Sequence, residues 1–266
     1  MPDPTRESGP APDFDLTGRV AVVTGSSRGI GRAIARAYAA HGARVVLASR
    51  KQPDLDRVAR EIRDAGGEAL PIACHTGDPD GVEALVGRVR EEWGGVDVLV
   101  NNAATNPHYG PILSSEEGHW DKTFEVNVKG YFHCARACVP SMRQRGGGAI
   151  VNVASIAGTV PHEGLGVYCV SKAAVLMLTR VLAAELADDG IRVNAIAPGL
   201  IDTRFSSALT ANEAVARRAR AAIPLGRIGQ PGELTGMAVY LASAAASFTT
   251  GAVMYVDGGQ GVGSGG

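Results

Sequence analysis

Residues 19–42, RVAVVTGSSRGIGRAIARAYAAHG, place an apolar run, a glycine-rich turn and an amphipathic repeat in immediate succession. The run RVAVVTG (19–25) is almost unbroken in its apolar character, as a strand buried on both faces must be. GRAIARAYAAHG (31–42) carries apolar residues at helical spacing and stops at Gly42, the residue type that ends helices without steric cost. Between the two, Gly25, Gly29 and Gly31 follow a G-x3-G-x-G spacing. Glycines there permit a tight turn, close approach of backbone to a pyrophosphate, and close packing of helix on strand. The helix N-terminus adds N–H groups and partial positive charge. A glycine triplet alone says little; strand before and helix after is the context that gives it meaning. Gly25, Ser27, Arg28, Gly29, Ile30 and Gly31 are therefore candidate cofactor contacts.

The same alternation runs to the end of the chain. Apolar runs at 43–49, 68–74, 96–103, 148–155, 191–198 and 251–259 are separated by helical patterns near 53–65, 79–92, 117–144, 165–188, 206–222 and 231–243. Seven nearly continuous apolar strands linked by helices predict an α/β fold. Its expected form is a doubly wound, Rossmann-like parallel sheet in the order 3-2-1-4-5-6-7. No linker-like shift in composition interrupts the middle of the chain, so one domain is expected over 14–260. Residues 1–13, with four prolines, read as a flexible extension, and 261–266 as a flexible tail.

Hydrophobic residues make up 45% of the 266 and charged residues 20%, enough to bury a sizeable core. A net charge of −1 gives no electrostatic reason to expect nucleic acid or an anionic membrane as partner. Cys74, Cys134, Cys138 and Cys169 form no CxxC pair and no metal-ligand spacing, so neither a disulfide framework nor a metal is expected. The N-terminus lacks the apolar segment of a secretory signal, and no run of about 18 apolar residues suggests a membrane span. Cytoplasm is the expected compartment.

Cofactor choice is read where the second strand ends. A site for NAD usually places Asp or Glu there, on the ribose 2′-hydroxyl. This chain has Ser49, Arg50 and Lys51. A carboxylate repels a 2′-phosphate, whereas an arginine fork takes one bidentately, and Arg28 in the glycine loop can reach the same group. NADP(H) is expected over NAD(H), with Ser49 and Arg50 as contacts.

YCVSK (168–172) sets a tyrosine one helical turn before a lysine. With six Tyr and four Lys in the chain, such a pair arises by chance in roughly one sequence in ten, so it needs company. The company is TGSSRGIG (24–31), NNAA (101–104), Asn127 in FEVNVKG, Ser155 in VASIAG, APG (197–199) and DGG (257–259). In that order and spacing, the chain resembles the classical short-chain dehydrogenase/reductase family over about residues 15–260. ASRKQ and NNAATNPHYG look most similar to its NADPH-dependent carbonyl reductases of the retinal- and ketone-reducing type.

The resemblance implies a catalytic tetrad. Tyr168 would be the general acid/base, Lys172 its support, Ser155 the ligand of the carbonyl oxygen, and Asn127 the holder of a proton-relay water. A free tyrosine titrates near 10, so basic action near neutrality needs a shift of about 3 units, or about 4 kcal/mol. One cation about 4 Å away at an effective dielectric of about 20 supplies roughly that, and Lys172 at i+4 shares the face of Tyr168. The resemblance also implies that Asn101, Asn102 and Ala103 lie near the adenosine half. Pro198, Gly199, Ile201 and Thr203 would lie near the nicotinamide. Where the family often has an aspartate touching adenine, this chain has His75.

SKAAVLMLTRVLAAELA carries only Lys172, Arg180 and Glu185 as charges, so more than one of its faces must be buried. The outer face is a candidate self-association surface, and the family resemblance implies a homotetramer, or a homodimer, built on this helix and its neighbour near 117–144. The segments 105–113, 156–166 and 202–222 are expected around a small-molecule carbonyl or alcohol substrate, with His108, Tyr109, His162 and Leu165 as candidate lining. Arg217, Arg218 and Arg220 form a basic cluster, a solvated face or an attractant for anionic substrates. Cys169 reads as a packing residue, with a redox switch as the other reading. The function expected is NAD(P)-dependent hydride transfer to or from a ketone or secondary alcohol. The alternatives are a 3-oxoacyl-carrier-protein-type reductase, a nucleotide-sugar epimerase, and a non-catalytic dinucleotide sensor.

Overall fold

The computed structural model describes residues 13–206 and 213–262. Its seven strands are β1 (Val20–Thr24), β2 (Arg44–Ser49), β3 (Glu68–Ala73), β4 (Val98–Asn101), β5 (Gly148–Val153), β6 (Ile191–Pro198) and β7 (Val253–Val256). All pair in parallel, in the order β3-β2-β1-β4-β5-β6-β7 that the alternation predicts. The order reverses between β1 and β4, so the chain leaves those two strands toward opposite faces and a crevice opens at their carboxyl ends.

Strand alternation divides the core in two. Ala21 and Val23 of β1 face α1 (Gly29–Ala40), α2 (Gln52–Asp64) and the last helix, while Val20 and Val22 face α3 (Pro79–Trp93) and the helices after β4 and β5. Every residue of β1 and β4 is buried, which is why their sequence shows no polar alternation. At the strands' amino ends, the buried Asp97 carboxylate accepts from Val20 N (2.8 Å) and from Arg145 Nε (2.7 Å) and Nη2 (3.0 Å).

Three expected elements differ in form. The run 96–103 pairs only over β4, because the amides of Asn102 and Ala103 leave the ladder to donate to Thr24 Oγ1 (2.9 and 3.1 Å). The helix expected over 117–144 is α4 (Glu117–Phe124), a π turn (Glu125–Lys129) and α5 (Gly130–Gln144). The segment 231–243 begins with a 3₁₀ turn, Pro231–Leu234, before α8 (Thr235–Ala242). Within 206–222 the structure shows α7 (Glu213–Ala221); residues 207–212 lie outside the described residues, as do the expected extension through residue 12 and the tail from 263.

α6 (Gly166–Glu185) is long and apolar enough, at a mean hydropathy of 1.6, to span a membrane by composition. Its inner face packs on the sheet and buries a lysine, which accounts for that composition in a core helix. Its outer face leaves Val170, Met177 and Val181 exposed, and Phe132 is exposed on α5.

Candidate active site

The glycine turn lies at the carboxyl end of β1. Gly25 and Gly29 adopt φ of +64° and +56°, a region that side chains rarely enter. Gly31 has an ordinary backbone, but a Cβ there would stand 2.5 Å from Gly25 O. The first two glycines turn the chain, and the third lets α1 begin against the turn. Asn102 Nδ2 donates to Thr24 O (2.9 Å) and Gly25 O (3.2 Å), and Ser26 N donates to Ala48 O (3.3 Å). The loop is thus tied to β4 on one side and β2 on the other. Asn101 does not join it: it points into the core, where its Nδ2 donates to Asn152 Oδ1 (2.9 Å). Of the two adjacent asparagines, only Asn102 reaches the crevice.

Ser49 closes β2, half-buried, while Arg28 and Arg50 are exposed and their guanidinium groups have no hydrogen bond or ion pair among the described residues. Ser27 is in the loop, its carbonyl accepting from Arg57 Nη2 (3.1 Å), and Ile30 lies in the first turn of α1. Pro198 ends β6. Gly199 follows so close to the DGG segment that a Cβ would stand 2.8 Å from Asp257 Cα. Ile201 is buried, and Thr203 packs beside Gly29, so the chain after β6 closes over the glycine loop. His75 accepts from Gly77 N (3.1 Å) and faces Lys122 and Glu125 of the α4 region. A glycine cradle, the N-terminus of α1 and two unpaired arginines at the rim fit a dinucleotide.

Ser155 follows β5 in extended backbone, its Oγ accepting from Ala157 N (3.1 Å). Tyr168 is buried in the first turn of α6, and Lys172, one turn on, is 1% exposed. Lys172 Nζ donates to Val153 O (2.7 Å) and Tyr131 Oη (3.3 Å) and lies 5.7 Å from the centre of the Tyr168 ring. Tyr131 in turn donates to Val153 O (3.0 Å). Burial pushes the Tyr168 phenol above the ordinary tyrosine range, and the Ser155 hydroxyl beside it opposes that only partly. Burial also holds the Lys172 ammonium down to about 7.

The expectation that one nearby cation lowers the phenol therefore does not describe the protein alone. Desolvation dominates for both groups, and Lys172 donates to Val153 O and Tyr131 Oη. Near neutrality Tyr168 keeps its proton, the state in which it can act as an acid.

Asn127 sits in the π turn with no exposed surface. Its Nδ2 donates to Thr105 O (3.0 Å) and Ser171 Oγ (3.0 Å), and its Oδ1 accepts from Thr105 N (2.8 Å). Both amide protons and the carbonyl are engaged, so the side chain clamps the loop after β4 to α6. The π turn delivers it there: a residue in a regular helix would spend no insertion to turn its side chain inward.

The structure adds residues that pattern reading missed. Tyr131 shares Lys172 and Val153, Ser171 receives Asn127, and Phe205 sets its ring 5.4 Å from that of Tyr168. An aromatic in an apolar helix, a serine one place before a lysine, and a phenylalanine in a loop carry no signal of their own. Only the fold brings them to the site.

Comparisons agree with this geometry. A family model described as Enoyl-(Acyl carrier protein) reductase matches residues 25–260. The rabbit (Oryctolagus cuniculus) protein named Dehydrogenase/reductase SDR family member 4 is 44% identical over 244 residues, covering 92% of this chain and 94% of its own. A crystal structure of a short-chain type dehydrogenase/reductase from Mycobacterium marinum superposes with a TM-score of 0.88 at 41% identity, covering 93% of this chain and 97% of that one. Gluconate 5-dehydrogenase from Burkholderia cenocepacia, solved with NADP and tartrate, gives 0.90 at 36% identity, covering 94% and 97%. A seven-stranded parallel sheet, a glycine cradle at its switch point and a full-length match of this kind have one reading: the chain belongs to the classical short-chain dehydrogenase/reductase family, whose members are oxidoreductases that use a nicotinamide cofactor.

Proposed function

We propose that this chain is an NADP(H)-dependent reductase of ketones, reversibly a dehydrogenase of secondary alcohols, with Tyr168 as general acid/base. The observation that carries the reading is the buried Tyr168 phenol beside Ser155, which follows the carboxyl end of β5, with buried Lys172 one helical turn on. A bound nicotinamide supplies or accepts the hydride. Tyr168 gives its proton to the carbonyl oxygen, and Ser155 holds that oxygen as charge develops; one such donor is worth about 10²–10³ in rate. Lys172 is the neighbouring cation that stabilises a phenolate once the proton has left. A phenol that burial keeps protonated starts in the form that reduction requires of it.

Arg28 and Arg50 support NADP(H), since neither guanidinium has a partner among the described residues and no carboxylate stands at 49–51. The solved relative with bound NADP is consistent with that preference. The exposed apolar side chains of α5 and α6 support self-association, as a homotetramer or homodimer, and the cytoplasm is the proposed compartment.

The test is oxidation of NADPH and NADH against ketones, aldehydes, quinones and 3-oxoacyl thioesters. Tyr168→Phe is expected to remove at least about 10³ of the rate, and Ser49→Asp to move preference toward NADH. Equal use of NADH by the native protein overturns the cofactor assignment. Activity confined to 3-oxoacyl thioesters replaces the ketone reading with the acyl-carrier one. An unaffected Tyr168→Phe protein in cofactor binding, with no turnover by either protein, returns the sensor reading.

A further inference from the structure

A charged Lys172 carries three protons on Nζ, in a place that is 1% exposed and that solvent barely reaches. Val153 O takes one at 2.7 Å, and Tyr131 Oη takes a second at 3.3 Å. Among the described residues, Tyr131 is the only side chain that accepts from Lys172, and no carboxylate is paired with it. Burial already holds this ammonium down to about 7, so each neutral acceptor bears on whether the charge survives.

Tyr131 is as deeply buried as the lysine, and its hydroxyl is fully committed. Its one proton goes to Val153 O (3.0 Å), which leaves Oη only lone pairs to offer Lys172. Carbonyl, phenol and ammonium thus close a ring of three hydrogen bonds. The turn that carries Tyr131 is held from behind as well. Asn101 Nδ2 reaches Tyr131 O (3.4 Å) and Asn152 Oδ1 (2.9 Å), and Asn152 Nδ2 donates to Thr179 Oγ1 (2.9 Å). The start of α5 is tied in this way through β4 and β5 to α6, the helix of Lys172 and Tyr168.

Lys172 Nζ lies 5.2 Å from the centre of the Tyr131 ring and 5.7 Å from that of Tyr168, so it stands between the two phenols. The other titratable groups that bear on these phenols are Cys134 of α5, toward Tyr131, and Cys169 of α6, toward Tyr168. β5 offers the Val153 carbonyl, and the segment after it the Ser155 hydroxyl beside Tyr168. A phenylalanine at 131 would fill the same space against the lysine. What the hydroxyl adds is a second acceptor for a buried cation.

We propose that Tyr131 is a positioning residue, whose hydroxyl fixes Lys172 Nζ and keeps it an ammonium for the moment at which Tyr168 gives up its proton. The proposal rests on the reading of Tyr168 as the proton donor in ketone reduction. Reduction uses the form in which Tyr168 and Lys172 both hold their protons, so its rate falls as rising pH takes the proton from the lysine. Without the Tyr131 hydroxyl the ammonium loses more than the neutral amine does, and that fall moves to lower pH.

The test sets Tyr131→Phe against Tyr38→Phe, which deletes an equally buried phenol hydroxyl, bonded to Ala238 O at 2.9 Å and not to the lysine. With NADPH and a reducible ketone, the pH at which kcat is halved should fall by about one unit in Tyr131→Phe, while KM for NADPH changes less than about twofold. Tyr38→Phe should leave that pH where it is. No shift in Tyr131→Phe, or the same shift in both variants, overturns the proposal. Urea unfolding without cofactor reads the contact with no turnover. Folding depresses the Lys172 ammonium, so its penalty is full below the folded titration and gone above the unfolded one; a deeper depression adds penalty on the acid side only. The gap in urea midpoint between native protein and Tyr131→Phe should therefore widen from pH 8 to pH 5, and that of Tyr38→Phe should stay constant. A Tyr131→Phe gap that stays constant overturns the proposal. A widening gap in a protein that reduces no ketone leaves the hold of Tyr131 on Lys172 standing, and it is the ketone-reductase reading that falls.

Discussion

Lys172 offers a measurement that separates burial from charge pairing. In the unfolded chain its ammonium releases a proton near 10.5, and in the fold near 7. Between those limits the unfolded chain holds more protons, so this residue makes stability rise with pH. The full penalty is present below pH 7 and gone above 10.5; at about 1.4 kcal/mol per pH unit it amounts to about 5 kcal/mol. Lys172→Met removes the charge at little cost in hydrogen bonding, because Tyr131 still donates to Val153 O at 3.0 Å. At pH 7 the methionine protein should be the more stable, by up to about 5 kcal/mol, and its advantage should shrink to about 2 kcal/mol at pH 9. Urea unfolding of both proteins without cofactor, at pH 7, 8 and 9, checks this. Taking the difference between the two cancels the opposite trend from Cys74 and Cys138, which burial raises to about 11 and about 12. A difference that does not change with pH, or a native protein more stable at pH 7, would refute the claim that burial holds the Lys172 ammonium down to about 7.

Gly31→Ala drives a methyl group to 2.5 Å from Gly25 O, so NADPH affinity should fall at least about tenfold and stability by about 1–3 kcal/mol, read by fluorescence titration and thermal melting. Unchanged affinity would show that the turn does not hold the cofactor. Asn127→Leu strips Thr105 N and Thr105 O of partners and should cost about 2–4 kcal/mol in urea unfolding; a loss below about 1 kcal/mol would mean that the clamp is dispensable. Met177, 56% exposed in the middle of the outer face of α6, tests assembly: Met177→Glu should reduce the mass seen by light scattering. A native protein that is already monomeric at micromolar concentration would contradict an interface there.

Much of the fold was legible because parallel strands buried on both faces must be apolar throughout, and RVAVVTG or GAIVNVAS can hardly be read otherwise. The glycine loop was legible because its demands are steric. Gly25 needs a positive φ and Gly31 has no room for a side chain, and few residue types meet either condition. The π turn at 125–129 was not, since one added residue leaves the apolar spacing of 117–144 nearly helical. The placing of Asn101 and Asn102 was confused for a different reason. They are adjacent in sequence, but one still obeys the strand's alternation and the other has left it to bind Thr24. The hydrogen bonds of Lys172 were out of reach as well, because Val153 and Tyr131 lie 19 and 41 residues away in sequence.

The added residue in the π turn has a cost that the rest of the molecule must carry. Each residue of an α-helix turns the chain by about 100°, so the extra one rotates everything in α5 by that angle relative to α4. That rotation is what lets Trp120 and Phe124 stack on one another while Tyr131, seven residues after Phe124, turns to Lys172. Deleting a single residue between 125 and 129 would restore unbroken helical hydrogen bonding and swing Tyr131 and Cys134 out of the positions they now fill. The most regular version of this helix is thus the one in which Lys172 loses its hydrogen bond to Tyr131, and local order here stands in competition with the packing around the buried lysine.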